Sequence, residues 1–344
     1  MADPHTVDLD RLAGWLRTHV EDFRGTPTIE KFAGGQSNPT FAVSIDGIPR
    51  YVVRKKPAGD LLPSAHAVDR EFRVMSALAG GDVPVARCHA LCTDDSVIGA
   101  MFFVMDYVGG RSFWDPRLPE LPTAERGPAY ADIVRVIAAL HGVRPDTVGL
   151  GDFGRPGNYY ARQITRWTKQ YRATETETID AMERLIAWLP EHLPAGDETG
   201  IVHGDYRIDN LIFHPTEPRI VAVVDWELST LGHPLADFAY HVMAWRLSPE
   251  AFRGLAGTDF AAIGVPDERQ HIAAYLACAG RPAIDPREWE FAIAYNMFRV
   301  ACIRQGVLKR ALDGNASNDR ALEAGRRTRD MAETAWAQVE WIGI

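Results

Sequence analysis

Cysteine is scarce in this 344-residue chain, and its four thiols, Cys88, Cys92, Cys278 and Cys302, are too scattered for a disulfide frame or a zinc site. Cys88 and Cys92 share one expected strand and read as packing residues. Positive charge is also short: 37 Lys and Arg face 46 Asp and Glu, a net charge of −9, with no long basic run. A nucleic-acid partner needs a basic footprint to replace counterions, so that class is excluded. No apolar run reaches transmembrane length, and no membrane partner is expected. The N-terminus, MADPHTVDLDRLAGWLRTHV, carries early acids instead of a basic-then-apolar leader and is expected to form an amphipathic helix. Repeats and low-complexity segments are missing too. A reducing cytoplasm is the simplest compartment. With 46% hydrophobic and 24% charged residues, the chain has enough apolar material for two cores.

Neither GxGxxG nor the GxxxxGK[ST] of a P-loop occurs at a useful place, so phosphate chemistry, if present, has to be carried otherwise. The stretch IVHGDYRIDNLIFHPTEPRIVAVVDWE, Ile201 to Glu227, carries it. Asp205 sits between a short apolar entry and a polar loop, where a carboxylate can accept the proton of a substrate hydroxyl. Asn210 stands at the mouth of the strand Leu211 to Phe213, and Asp225 ends a second strand, Ile220 to Val224. A hairpin between those strands returns Asp225 beside Asn210, where a carboxylate and an amide oxygen suit Mg2+ bridging nucleotide phosphates. A lone Asp in a turn is ordinarily a turn residue or a cap. His-Gly-Asp, Asn210 and a strand-terminal Asp225 at compatible spacing favour a phosphoryl-transfer site.

HGDYRIDN and DWE resemble the aminoglycoside phosphotransferase and choline kinase superfamily, small-molecule relatives of protein kinases in which HGDxxxxN replaces HRDxxxxN. The resemblance covers nearly the whole chain. It implies an α+β, protein-kinase-like two-lobed fold with ATP in the cleft. A β-rich N-terminal nucleotide-binding lobe would span 1–108 and a mainly helical catalytic lobe 109–344, with the catalytic hairpin set among its helices. It also implies ATP and Mg2+ as cofactors, and a structural role for Asp237 in bracing the catalytic loop.

The remaining parts of such a machine can be sought upstream. Tyr51 to Arg54 reads as a buried strand whose alternation sends Val52 and Arg54 to one face. Val52 would then lie under the adenine and Arg54 would take the place of the phosphate-binding Lys. Lys55 could take that role after a register shift, and Arg54 is preferred. The helix Ala65 to Leu78 repeats apolar residues at Val68, Phe72, Met75 and Leu78, which puts Glu71 within reach of Arg54 as its ion-pair partner. A solvated surface charge is the alternative for Glu71. Gly35, Gln36, Ser37 and Asn38 form a candidate phosphate-covering turn. The apolar strand AMFFVMDYVGG reads as the hinge, with adenine bonded to backbone groups near Asp106, Tyr107 and Val108. Downstream the pattern is helical: Thr123 to His141, Tyr159 to Tyr171, Thr176 to Leu189, Leu235 to Leu247, Asp267 to Cys278, Arg287 to Leu312 and Asn318 to Trp341.

The resemblance implies a small-molecule acceptor bearing a hydroxyl. A polycationic aminoglycoside calls for a carboxylate-rich site, but residues 251–344 hold equal numbers of acids and bases. Arg162, Arg166 and Lys169, with Arg172 beyond, lie along one helix; they either cradle an anionic handle or pair with acids of the next helix. The phrases GGQSNPTF, VVRKKPAG and DWELSTLGHPLADFAY are similar to the kinase domain associated with acyl-CoA dehydrogenases. That implies a hydroxyacyl-CoA or related anionic metabolite as acceptor, and a functional link to such a dehydrogenase. An aminoglycoside or other small-alcohol phosphotransferase is the alternative. A nucleotide-binding pseudokinase is a third reading, but it would have lost the base or a metal ligand, and Asp205, Asn210 and Asp225 are all present. These residues do not separate ATP from GTP, and they say nothing of oligomeric state.

Overall fold

The computed structural model describes residues 7–32, 38–57, 67–314 and 320–341. They fall into two compact units, residues 1–112 with 210–229, and 113–209 with 230–344. None of the described helices is long and apolar enough to cross a membrane.

The first unit is built on a five-stranded antiparallel sheet. Its strands are β1 (Pro27–Lys31), β2 (Thr40–Ile45), β3 (Ile48–Lys55), β4 (Cys88–Cys92) and β5 (Phe102–Asp106), in the order β1-β2-β3-β5-β4. Asp46 and Gly47, both at positive φ (51° and 81°), close the β2–β3 hairpin with the mirror-image turn whose twist matches the strands. The N-terminal helix α1 (Leu9–His19) opens on Asp8, whose carboxylate accepts the Arg11 amide at 3.1 Å. It buries Leu12, Ala13 and Leu16 against Phe41, Val43, Val53 and Val104. Each such leucine contributes about 1.5–3 kcal/mol of burial. Because α1 covers the Val53 side of the sheet, the alternate residues Val52 and Arg54 are left to the other side. The helix α2 (Val68–Leu78) buries Val68, Met75 and Leu78, and Phe72 meets Phe103 edge to face.

The second unit is mainly helical. It contains α3 (Thr123–Gly142), α4 (Tyr159–Thr174), α5 (Asp180–Glu191) and α6 (Pro234–Val242), followed by the helices Glu268–Ala279, Pro286–Leu312 and Thr328–Trp341. The helix Pro286–Leu312 is buried on nearly every side through Trp289 to Cys302, as expected of a helix that forms the centre of a bundle. Among the expected helix boundaries that shift, three stand out. The helix expected from Asn318 is divided into Arg320–Arg326 and Thr328–Trp341. There the Thr328 hydroxyl donates to the Gly325 carbonyl at 2.6 Å, a side-chain bond that competes with the helical ladder. The segment ending at Leu247 leaves the α-helix at Val242 and continues as a 3-10 turn, Met243–Arg246. Finally, α5 starts at Asp180 rather than Thr176, since Thr176 and Thr174 are tied to Gln305 instead.

His241 and His271 meet inside this unit, Nε2 to Nε2 at 3.1 Å, so one ring donates and the other accepts. Burial lowers the His241 ring to about 4 and pulls His271 well below the ordinary 6.5. Between pH 6.5 and about 4 the unfolded chain therefore binds more protons than the folded one. The stability contributed by the neutral pair is complete above that window and drains as the pH falls through it. At 1.36 kcal/mol per pKa unit, His241 alone accounts for about 3 kcal/mol. Urea unfolding across the window checks this: the midpoint should fall with acidification, and His241→Gln should flatten the slope. A slope unchanged by the substitution contradicts it.

Candidate active site

In the first unit, the face of β3 that carries Val52 and Arg54 opens on a cavity of about 430 Å³, whose lining includes Glu71, Tyr107, Asn210 and Asp225. Arg54 is the centre of its polar side. Its Nε lies 2.7 Å from Glu71 Oε2, and its Nη2 lies 2.6 Å from Asp225 Oδ1. Asn38 Nδ2 donates to Glu71 Oε1 at 2.8 Å, and Glu71 is 1% exposed, which rules out the solvated surface charge. Burial raises the Glu71 carboxyl and Arg54 opposes that rise. With two donors aimed at it, the ionised carboxylate is the form this geometry holds. Burial also works against the charge of Arg54, but Glu71 and Asp225 outweigh it and keep the guanidinium charged. Lys55, one residue on, does not line the cavity; it is buried and its ammonium is pulled down by desolvation.

The segment after β5 reaches the same cavity through Asp106, Tyr107 and Val108. The Asp106 and Tyr107 amides are already donated, to the Arg87 and Arg50 carbonyls, each at 2.9 Å. The Asp106 carboxylate takes His89 Nε2 at 2.6 Å. Gly110 follows, where a Cβ would stand 2.3 Å from the Phe213 carbonyl oxygen, so only glycine lets the short strand Arg111–Ser112 pair with Leu211–Phe213.

That pairing attaches the hairpin Leu211–Phe213 and Ile220–Val223 to the sheet unit, along with a bond from the Val223 amide to the Pro84 carbonyl at 2.8 Å. The sequence reading set this hairpin among helices; its hydrogen bonds and the Arg54–Asp225 pair put it in the first unit instead. The Val224 amide donates to the Asn210 carbonyl at 2.9 Å, which brings the two ends of the hairpin together. Asp225 adopts φ 68°, ψ 58°, a left-handed conformation uncommon outside glycine and tolerated by Asp. Of the candidate phosphate turn, Gly35, Gln36 and Ser37 lie outside the described residues. Asn38 is described, and its amide is engaged with Glu71 rather than open to a ligand.

Asp205 belongs to the second unit, in the loop after the strand Gly200–Val202. Its Oδ1 accepts the Tyr240 hydroxyl at 2.6 Å and lies 3.3 Å from Arg207 Nε. The loop is held from two sides. Asp237 accepts the His203 amide at 2.7 Å and the Gly204 amide at 2.8 Å, while the buried Arg299 donates to the Gly204 carbonyl at 2.5 Å. Burial pushes the Asp237 carboxyl up, but the His141 hydrogen bond, with His203 and its amide, holds it below its ordinary value. Sequence reasoning missed Tyr240, Arg207 and Arg299. Tyr240 stands one helical turn after Asp237, a legible signal, and Arg207 lies inside HGDYRIDN itself. Arg299 is 95 residues distant from Gly204 and carries no local mark. The basic face of α4 resolves toward pairing: Arg172 forks onto Glu183 of α5 at 2.5 and 2.6 Å, and Arg162 donates to the Arg155 carbonyl.

A five-stranded antiparallel sheet whose third strand pairs its cation with a helix carboxylate defines, with a mainly helical second unit, the protein-kinase-like fold of small-molecule phosphotransferases. The chain belongs to the phosphotransferase enzyme family, whose model it matches over residues 28–273. A Ralstonia eutropha protein of known crystal structure, provisionally named an aminoglycoside phosphotransferase, is 52% identical with a TM-score of 0.89, over 98% of this chain and 99% of that one. Acyl-CoA dehydrogenase family member 10 of Mus musculus is 46% identical over 98% of this chain and 31% of its own length. The chain spans less than half the length of the curated relatives it matches. The aminoglycoside phosphotransferase APH(4)-Ia, solved with ADP and hygromycin B, shares the fold at a TM-score of 0.59 and 14% identity, over 94% of this chain and 97% of that one.

Proposed function

We propose that this chain is an ATP- and Mg2+-dependent kinase that transfers the γ-phosphoryl group to the hydroxyl of a hydroxyacyl-CoA or similar anionic metabolite. The observation that carries the reading is Arg54, bridging the buried Glu71 and the cavity-facing Asp225. A guanidinium there stands where cationic charge is favoured, and its forked donors suit phosphate oxygens.

The residues fit the cofactor. Mg2+ is ordinarily held by one or two carboxylates together with substrate phosphates, not by an all-protein cage. Among the described residues no cluster of three or more His, Cys, Asp or Glu forms such a cage. Asp225 and Asn210, which line the cavity with Arg54, would hold the ion, and the ion would supply neutralisation of charge on the β- and γ-phosphates. Arg54 would bind phosphate and Glu71 would fix it, with Asn38 behind Glu71. Val52 and the segment Asp106, Tyr107 and Val108 would face the adenine. Gly35, Gln36 and Ser37 would cover the phosphates with backbone donors. Asp205 would orient the acceptor hydroxyl and take its proton, its carboxylate held in place by Tyr240 and Arg207. A reducing cytoplasm suits such a site.

The acceptor class draws support from the mouse relative, whose name joins chains of this kind to acyl-CoA chemistry. A mass-spectrometric screen with MgATP tests it, using hydroxyacyl-CoA thioesters, free hydroxy acids, choline-like alcohols and aminoglycosides, with Asp205→Ala as the blank. The thioesters should gain a phosphoryl group in the wild type alone. Phosphorylation confined to the aminoglycosides would overturn the acceptor assignment.

A further inference from the structure

Beside Asp205, in the second unit, a narrow slot of about 40 Å³ is walled by Trp114, Tyr130, Arg207, Tyr240, Phe252 and Arg253, among others. Two of these walls, Tyr240 and Arg207, are the contacts of Asp205 itself. Roughly 10–15 Å³ of such space holds one water, so the slot admits a group the size of a carboxylate or phosphoryl and excludes a sugar ring. We infer that Arg207 and Arg253 hold a small anionic group of the acceptor in this slot and so set the charge class of substrate presented to Asp205. The inference rests on the kinase reading above and deepens it.

Charge around the slot supports this. Arg253 Nη2 lies 3.3 Å and Arg207 Nη2 3.0 Å from Asp209 Oδ2. Arg299 sits 4.9 Å from the Tyr240 ring centre and Arg304 sits 5.7 Å from that of Phe252. Arg207 and Arg253 thus line the slot, while Arg299 and Arg304 stand against the rings of two of its walls. Burial, then the neighbouring Arg327, lowers Arg304 to about 10 against the pull of Asp330, and burial lowers Arg253 against that of Asp209. At the mouth, Arg253 lies 3.7 Å over the ring of Trp114, an indole that is 66% exposed. The stack positions the guanidinium at the mouth of the slot by an attraction that is weak at an exposed site. An amine-rich acceptor would meet repulsion here, and an anion would complete the charge balance.

The bland alternative is that both arginines merely fasten the loop at Asp209. Steady-state kinetics with four acceptors of one chain length separates the two: a straight-chain hydroxy acid, its coenzyme A thioester, its methyl ester and an amino alcohol. The wild type should favour the acid or the thioester over the ester, and the better of the two identifies the anion as carboxylate or phosphate. In Arg253→Gln this preference should shrink by roughly 10- to 100-fold, the worth of a hydrogen bond to a charged group. Arg253→Lys, which keeps the charge and loses the fork, should give an intermediate ratio, so the answer does not depend on one variant's folding. A wild type that favours neither anion over the ester, or variants that lose all four acceptors in equal proportion, overturns the inference. The kinase reading survives that result if any acceptor gains a phosphoryl group in an Asp205-dependent way, and falls if none does.

Discussion

Asp205→Asn lowers turnover by roughly 100- to 10,000-fold and leaves ATP binding unchanged. The substitution keeps the shape of the side chain and an oxygen that can still accept the Tyr240 hydroxyl, now 2.6 Å away. Arg207 loses one carboxylate neighbour and keeps Asp209 at 3.0 Å, so the loop stays anchored. Asp237 and Arg299 hold the His203–Gly204 backbone independently of the Asp205 side chain. Folding is therefore spared while the group that receives the acceptor proton is gone. Because that interaction develops in the transition state, the loss should fall on kcat and not on KM. Calorimetric ATP titration beside steady-state kinetics gives both numbers. A fall smaller than tenfold would remove Asp205 from the base role, and an equal loss of nucleotide affinity would make it a structural residue.

Arg54→Leu has the second large effect, on stability and nucleotide affinity together. Glu71, at 1% exposure, would keep, among the described residues, the Asn38 amide as a donor, and breaking a buried ion pair on one side costs about 3–5 kcal/mol. Removing both charges in Arg54→Leu/Glu71→Leu should restore most of that loss, since an apolar pair of similar volume leaves no fully buried charge stranded and the Asp225 side chain, 36% exposed, can be met by water. Nucleotide affinity should stay low in both variants, because the guanidinium proposed to bind phosphate is missing from each. Denaturant midpoints and ATP titrations across the double-mutant cycle read the two effects separately. A double variant as unstable as Arg54→Leu would show that Glu71 is held by more than Arg54. Nucleotide affinity near that of the wild type would take Arg54 out of the phosphate site.

The sequence is most readable where chemistry is local. Strand alternation alone separates Val52 and Arg54 from Val53 and Lys55, and the sheet keeps that separation because α1 packs on the Val53 side. Helical spacing brings Glu71 to Arg54, and Asp237 takes the two loop amides as the family resemblance implies. Legibility fails where contacts are long-range. Arg299 reaches Gly204 from 95 residues away, and Arg253 joins Asp209 from 44, with no periodicity to announce either. On α4, where four basic residues lie along one helix, the sequence leaves an anion cradle and pairing with the next helix both open, and Arg172 pairs with Glu183. The slot beside Asp205 is instead assembled from single residues of separate segments. Membership of the hairpin in the sheet unit depends on Gly110, whose missing Cβ permits a backbone approach that composition does not reveal.

The central claim is that the γ-phosphoryl group of ATP moves directly to an acceptor hydroxyl with Asp205 as base. The most direct test follows γ-labelled MgATP with a hydroxyacyl-CoA thioester, counting label in the acceptor against ADP formed. The account predicts one labelled acceptor per ADP in the wild type, and almost none with Asp205→Asn or Asp225→Asn. Release of ADP with the label in free phosphate alone, or a labelled acceptor that survives both substitutions, would contradict it.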